Sequence, residues 1–121
     1  YESNKTSYTF KASVSDGVNS STQDINITIK NINDNTPTFT SDNNKTVDEE
    51  QTDAITLVAI DIDNRVSVID TLTFSISKDD ASDFTLDSAT GVVTFNNPPD
   101  YDLGKTSYSF EAMVSDGTFS S

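Results

Sequence analysis

"YTFKASVS", residues 8–15, places Tyr8, Phe10, Ala12 and Val14 on one side of an extended chain and Thr9, Lys11, Ser13 and Ser15 on the other. A period of two sends alternate side chains to opposite faces, so this stretch is a strand with one face toward a core and one toward water. The pattern returns as "YSFEAMV", residues 108–114. Around the two copies, "YESNKTSYTFKASVSDGVNSS" (1–21) and "YDLGKTSYSFEAMVSDGTFSS" (101–121) agree at 13 of 21 positions, without a gap, at an offset of 100. Chance does not give that agreement, so the chain holds slightly more than one period of a tandem repeat.

Strand patterns fill the rest of the period. "DINITIKNI" (24–32) alternates Ile25, Ile27 and Ile29 with polar residues; "AITLVAIDI" (54–62), "LTFSIS" (72–77), "FTL" (84–86) and "VVTF" (92–95) follow. Clusters of Asn, Asp, Gly, Ser and Pro separate them, and no stretch sustains a helical period. The expectation is an all-β chain, a Greek-key β-sandwich of seven strands. Three segments are expected: residues 1–30 as the last two strands of a preceding repeat, 31–37 as a connector, and 38–121 as the next repeat. That repeat is expected to lack its final strand, since no counterpart of residues 24–30 follows, which leaves an open sheet edge. Strand 24–30 is expected to pair with residues 8–14, or with residues 108–114 of another copy.

The composition sets limits on function. In 121 residues the formal net charge is −13 and the hydrophobic share is 33%, which borders on the disordered class. Four tyrosines and seven phenylalanines inside alternating patterns argue instead for a thin core between sheets, with cations offsetting the acid. Cysteine and histidine are absent, which excludes disulfides, thiolate metal sites, the commonest zinc ligand and the usual general base. So acidic a surface repels nucleic acid and anionic membranes, and no apolar run is long enough to span a bilayer.

The acids and amides gather in groups: Glu2; Asn33, Asp34 and Asn35; Glu49 and Glu50; Asp61 and Asp63; Asp100 and Asp102; and Asp116, with Asp16 as its counterpart one period earlier. Oxygen-rich groups at strand ends suit a hard cation, although any one of these acids taken alone reads as an ordinary turn residue. "DIDNRVSVIDTL" fails as an EF-hand loop, because Arg65, Val66 and Leu72 stand where an oxygen ligand, the turn glycine and the closing glutamate belong. Asp100 and Asp102 resemble a hydrolase pair, but no tryptophan is present to line a sugar cleft, and a serine nucleophile without histidine would need a lysine base. The chain is not expected to be an enzyme.

These groups resemble the cadherin repeat along nearly the whole chain. Asn31 to Phe39, "NINDNTPTF", matches the connector D-x-N-D-N-x-P-x-F except at Asn31, which replaces an acid. Ala59 to Asp63 matches A-x-D-x-D, Asp100-Tyr101-Asp102 matches D-Y-E, Glu49 matches the early glutamate, and Asp116-Gly117 matches the D-G after the sixth strand. The resemblance implies an immunoglobulin-like sandwich with Ca2+ between successive repeats. It implies Asp61 and Asp63 as bridging carboxylates opposite Asn33, Asp34 and Asn35, with Glu2 from the preceding repeat and Asp116 from the following one. Asp70 stands where the family coordinates through a backbone carbonyl, and Glu49, Asp100 and Asp102 would serve the next junction. The implied role is an extracellular, calcium-stiffened structural or adhesive repeat of a tandem surface protein, whose partners are neighbouring repeats or other copies in head-to-tail order. The Ser/Thr-rich, cysteine-free composition looks more like a bacterial or archaeal surface protein than a eukaryotic one. A polysaccharide-binding role through Tyr1, Tyr101 or Phe119, and a filament subunit built by strand complementation, are the alternatives.

Overall fold

The computed structural model describes residues 5–65 and 70–121. Nine strands account for its regular structure: β1 (Ser7–Ser15), β2 (Ser20–Thr28), β3 (Thr38–Phe39), β4 (Asp53–Thr56), β5 (Ala59–Ile60), β6 (Thr73–Ser77), β7 (Phe84–Leu86), β8 (Val92–Phe95) and β9 (Glu111–Ser115). Three short 3-10 turns sit between them, and among the described residues no helix is long and apolar enough to cross a membrane.

The seven strands β3 to β9 form a sandwich. One layer is β4-β8-β7, the other carries β6-β9, and β3 pairs with β5, all antiparallel. Phe84, Val93 and Phe95 from the first layer meet Phe74 and Val114 from the second, with Ala54 and Leu57 closing the core. Phe84 is the centre of an aromatic group, with ring centroids 4.8 Å from Phe95, 5.0 Å from Phe110 and 5.8 Å from Tyr108. Tilted and edge-on contacts of this kind add to the area term that holds a small core together.

Two stretches depart from the expected strands. "AITLVAIDI" does not run as one strand. Leu57 donates its N–H to the Gly91 carbonyl at 2.8 Å, while the Val58 carbonyl accepts from Thr40 and Ser41 at 2.8 and 3.2 Å, so the chain changes partner between β4 and β5. "YSFEAMV" joins its ladder only at Glu111, because Asp80, just ahead of the 3-10 turn, engages Ser109 instead: its carboxylate accepts the Ser109 N–H at 2.9 Å and its own N–H donates to the Ser109 carbonyl at 2.9 Å.

β1 and β2 form a separate antiparallel ribbon, in register from Ser7 opposite Thr28 to Ser15 opposite Ser20. Residues 8–14 and 24–28 thus pair as expected. The repeat seen in sequence extends to geometry at the two turns. Asp16 N–H reaches the Asn19 carbonyl at 3.1 Å and Asp116 N–H reaches that of Phe119 at 3.2 Å; Ser15 and Ser115 hydroxyls bond the same carbonyls at 3.0 and 2.9 Å. Gly17 and Gly117 hold φ of 93° and 92°, a region costly for any residue with a Cβ. Burial is what differs: Val14 is 70% exposed and its counterpart Val114 is 0% exposed.

Candidate metal centre

Beyond the proline-ended connector, β5 runs into an acidic turn that organises the whole site. Asp61 accepts the Asp63 N–H on Oδ1 at 2.8 Å, an Asx-type turn that starts the 3-10 turn Asp63–Arg65. This folds Asp63 inward, to 1% exposure. There its carboxylate gathers the connector: Oδ2 accepts the N–H of Asp34 at 3.0 Å and of Asn35 at 2.9 Å, and Oδ1 accepts the Asn35 side-chain amide at 2.7 Å. Its carbonyl accepts the Asn31 side-chain amide at 2.7 Å. Bonds to an ionised acceptor are about twice as strong as neutral ones, so Asp63 is a clamp on residues 31–35.

Around the clamp lies a set of oxygens with no donor. Asp116 follows β9 and turns Oδ1 to the N–H groups of Thr118 and Phe119, both at 2.6 Å. Its other oxygen, together with one oxygen each of Asp61, Asp70, Asn31 and Asn33, is buried without a hydrogen-bond partner. Single oxygens of Asp61, Asp70 and Asp116 lie within 4.8 Å of one another. An unmatched buried acceptor costs about 1–3 kcal/mol, and a charged one more. Five such acceptors, three of them carboxylate, lie without a hydrogen-bond partner among the described residues. Neutral and anionic oxygens without nitrogen or sulfur are the donor set of a hard divalent cation, and these residues fit one.

The electrostatics agree with that reading. Burial pushes the Asp61 carboxyl above the usual range; the Asp63 N–H opposes this, and the charges of Asp70, Asp63 and Asp116 raise it further. For Asp116 burial also pushes upward, but the N–H groups of Phe119 and Thr118 and the Asn33 amide outweigh it, and the net shift is downward. Asp116 is thus held toward its ionised form, while Asp61 is held back first by burial and then by neighbouring charges that a cation would neutralise.

The structure brings Asn33, Asp61, Asp70 and Asp116 together, with Asp63, Asp34 and Asn35 as the clamp and its cargo. Asp70, expected to act through its backbone carbonyl, also brings its side chain to the site. Its carboxylate faces the cluster, and the Asn64 amide bonds both its carbonyl, at 3.4 Å, and its other oxygen. Glu2 lies outside the described residues. Glu49, Asp100 and Asp102 are exposed and form their own group, in which Glu49 accepts the Tyr101 N–H at 2.9 Å and Asp100 that of Asp102 at 2.9 Å. Two residues were missed in sequence. Asn31, read only as a lost charge, supplies a buried oxygen from the first connector position. Asn64, which closes the loop onto Asp70, carries no sequence signal.

No family model matches the chain, and no curated protein does. Solved structures do. Protocadherin gamma C5 EC1-3 superposes with a TM-score of 0.69 at 22% identity, covering 99% of this chain and 42% of that one. The protocadherin gammaB7 EC3-6 cis-dimer gives 0.67 at 21%, covering 99% and 31%, and mouse cadherin-23 EC22-24 gives 0.66 at 21%, covering 96% and 38%. The chain therefore spans less than half the length of each of these matched chains. From strand order to the ribbon ahead of the connector, this chain has the fold of cadherin ectodomain repeats.

Proposed function

We propose that the chain is a calcium-binding structural repeat of an extracellular tandem protein, and that the ion fixes the connector against the sandwich. One observation carries this reading: five buried side-chain oxygens without donors come from both sides of one junction, Asn31 and Asn33 from the connector and Asp61, Asp70 and Asp116 from the sandwich. A divalent cation held by these residues supplies the positive charge that the site lacks. The chain's own residues do the rest. Asp63 holds residues 31–35 in place before any ion arrives, Asn64 orients Asp70, and the β9 turn aims Asp116. With the charge matched, the three carboxylates cease to repel and the connector gains a second set of restraints. The absence of histidine and cysteine supports a non-catalytic role, and the fold's occurrence in ectodomain repeats supports the extracellular one.

Thermal melting in chelator and in calcium tests the reading. Extracellular calcium modules have dissociation constants of roughly 0.1 to 1 mM, so about 10 mM calcium is a large excess. At about 100 times the dissociation constant the gain is about 2.7 kcal/mol per ion. A midpoint that does not move between the two conditions overturns the reading.

A further inference from the structure

Asn31 and Asn33 each present the junction with a buried side-chain oxygen that meets no donor among the described residues. Asn35 is arranged the other way round. Its side-chain nitrogen sits between two carboxylates, 2.8 Å from Asp34 Oδ1 and 2.7 Å from Asp63 Oδ1. A primary amide carries two N–H donors, so one nitrogen serves both anions. One of these anions is exposed on the connector, and the other is buried in the turn after β5. The amide therefore spans the junction.

Asparagine suits this place for physical reasons. Two like charges against one nitrogen repel, and water screens them less at a partly buried junction than at an open surface. A serine or threonine hydroxyl has a single hydrogen and would satisfy one carboxylate. A lysine would bring a full charge and compete with a cation in the neighbouring pocket. The main chain fixes the approach, since Asp63 Oδ2 accepts the N–H groups of Asp34 and Asn35 at 3.0 and 2.9 Å. The neighbouring carboxylates behave differently. Single oxygens of Asp61, Asp70 and Asp116 lie within 4.8 Å of one another, and one oxygen of each is buried without a donor. One carboxylate group is thus open to a cation, and the other is already bridged by the protein's own amide.

We propose that Asn35 is a positioning residue of the junction, a hydrogen-bond donor to Asp34 and Asp63 and not a side-chain oxygen ligand. The inference rests on the calcium reading of the neighbouring pocket. The amide holds the connector carboxylate against the sandwich without an ion. It also steadies Asp63, whose carbonyl accepts the Asn31 amide at 2.7 Å and so keeps the Asn31 oxygen at the pocket. A cation then meets ligands already gathered, and less conformational entropy is lost on binding. This role sets the sign of one substitution. A carboxylate at position 35 would tighten calcium if the side chain faced the ion, because affinity rises with ligand charge. For a donor the same change sets three carboxylates together with no hydrogen between them, and binding weakens.

The test uses the full chain. In calcium titration Asn35→Asp should bind about tenfold or more weaker than the parent, through two lost charge-assisted bonds. Equal or tighter binding overturns the proposal. In chelator Asn35→Asp should melt below the parent, and an unchanged midpoint also overturns it. Proton NMR of the parent in chelator reads the bridge without any ion and without a variant that has to fold. Both Asn35 side-chain N–H resonances should lie downfield of those of an exposed amide and exchange slowly with water. Asp34→Ala should move one of them and leave the other bonded to Asp63. Two resonances with the shifts and exchange of a free amide overturn the bridge. A parent whose melt ignores calcium overturns the calcium reading alone, and the chelator melts and the resonances then decide the role of Asn35.

Discussion

Asp61 and Asp63 sit two positions apart and do different work. Asp61 ends with a buried oxygen lacking a donor, while both oxygens of Asp63 hold connector N–H groups. Asp61→Asn and Asp116→Asn keep the shape and remove one charge each. Both should weaken calcium affinity about tenfold, the effect of roughly 1.4 kcal/mol, while the chelated protein melts no lower than the parent. Asp63→Ala should lose affinity and also melt lower in chelator. Asp53→Ala, at an exposed position that starts β4, should change neither; titration beside melting separates the three outcomes. The oxygen-rich groups were legible because their spacing is local: Asn33 to Asn35 and Asp61-x-Asp63 are short patterns. The division of labour was not, because it depends on contacts between residues 28 and 29 positions apart. Asn31 was hidden for the same reason, since its oxygen matters only through burial.

Among the elements, the run from β4 to β5 shows where periodicity stops informing. "AITLVAI" is apolar at six of seven positions, so a period of two cannot show where the chain changes sheet, whereas the clean alternation of β1 and β2 was readable throughout. The change depends on Gly91. Its φ is +74°, and a Cβ there would stand 2.2 Å from the Leu57 carbonyl oxygen, the residue whose N–H it binds. Gly91→Ala should therefore destabilise by about 3 kcal/mol or more through strain and a backbone clash. Gly104→Ala, with φ +88° and open space around it, should cost about 1–2 kcal/mol; urea melts compare them. Lys105 bonds Asp80 and Asp83, each at 2.7 Å, and ties the 3-10 turn Ala81–Asp83 to the approach of β9. The Lys105 ammonium, then the Ser109 N–H, hold the Asp80 carboxyl below its usual 3.8. A lowered carboxylate contributes stability above its unfolded value and loses it as pH falls through the folded one. Lys105 itself is raised above 10.5 by Asp80 and Asp83, so its share persists until the pH passes that value. The melting difference between the parent and Lys105→Met should thus be constant near neutrality and close below pH 3.8.

As a whole the molecule joins a packed sandwich to a ribbon with little cover. Phe84→Ala removes the centre of the aromatic group and should cost about 3–5 kcal/mol. Phe10→Ala, at a ring 54% exposed, should change the melt by less than about 1 kcal/mol. The repeat and the all-β class were legible from 13 identities and simple alternation. The contrast in burial between Val14 and Val114 was not, because identical side chains differ only in what surrounds them.

The clamp at Asp63 also sets how tension enters the molecule. A pull along residues 31–35 loads the three bonds to its carboxylate and the Asn31 bond to its carbonyl at the same time, in shear. The strand that follows, β3, is two residues long and opposes β5 at two positions, too few to bear load for long. Force on the connector is therefore shared between this short edge and one buried side chain, which passes it into the turn after β5 and makes position 63 a mechanical fuse of the junction.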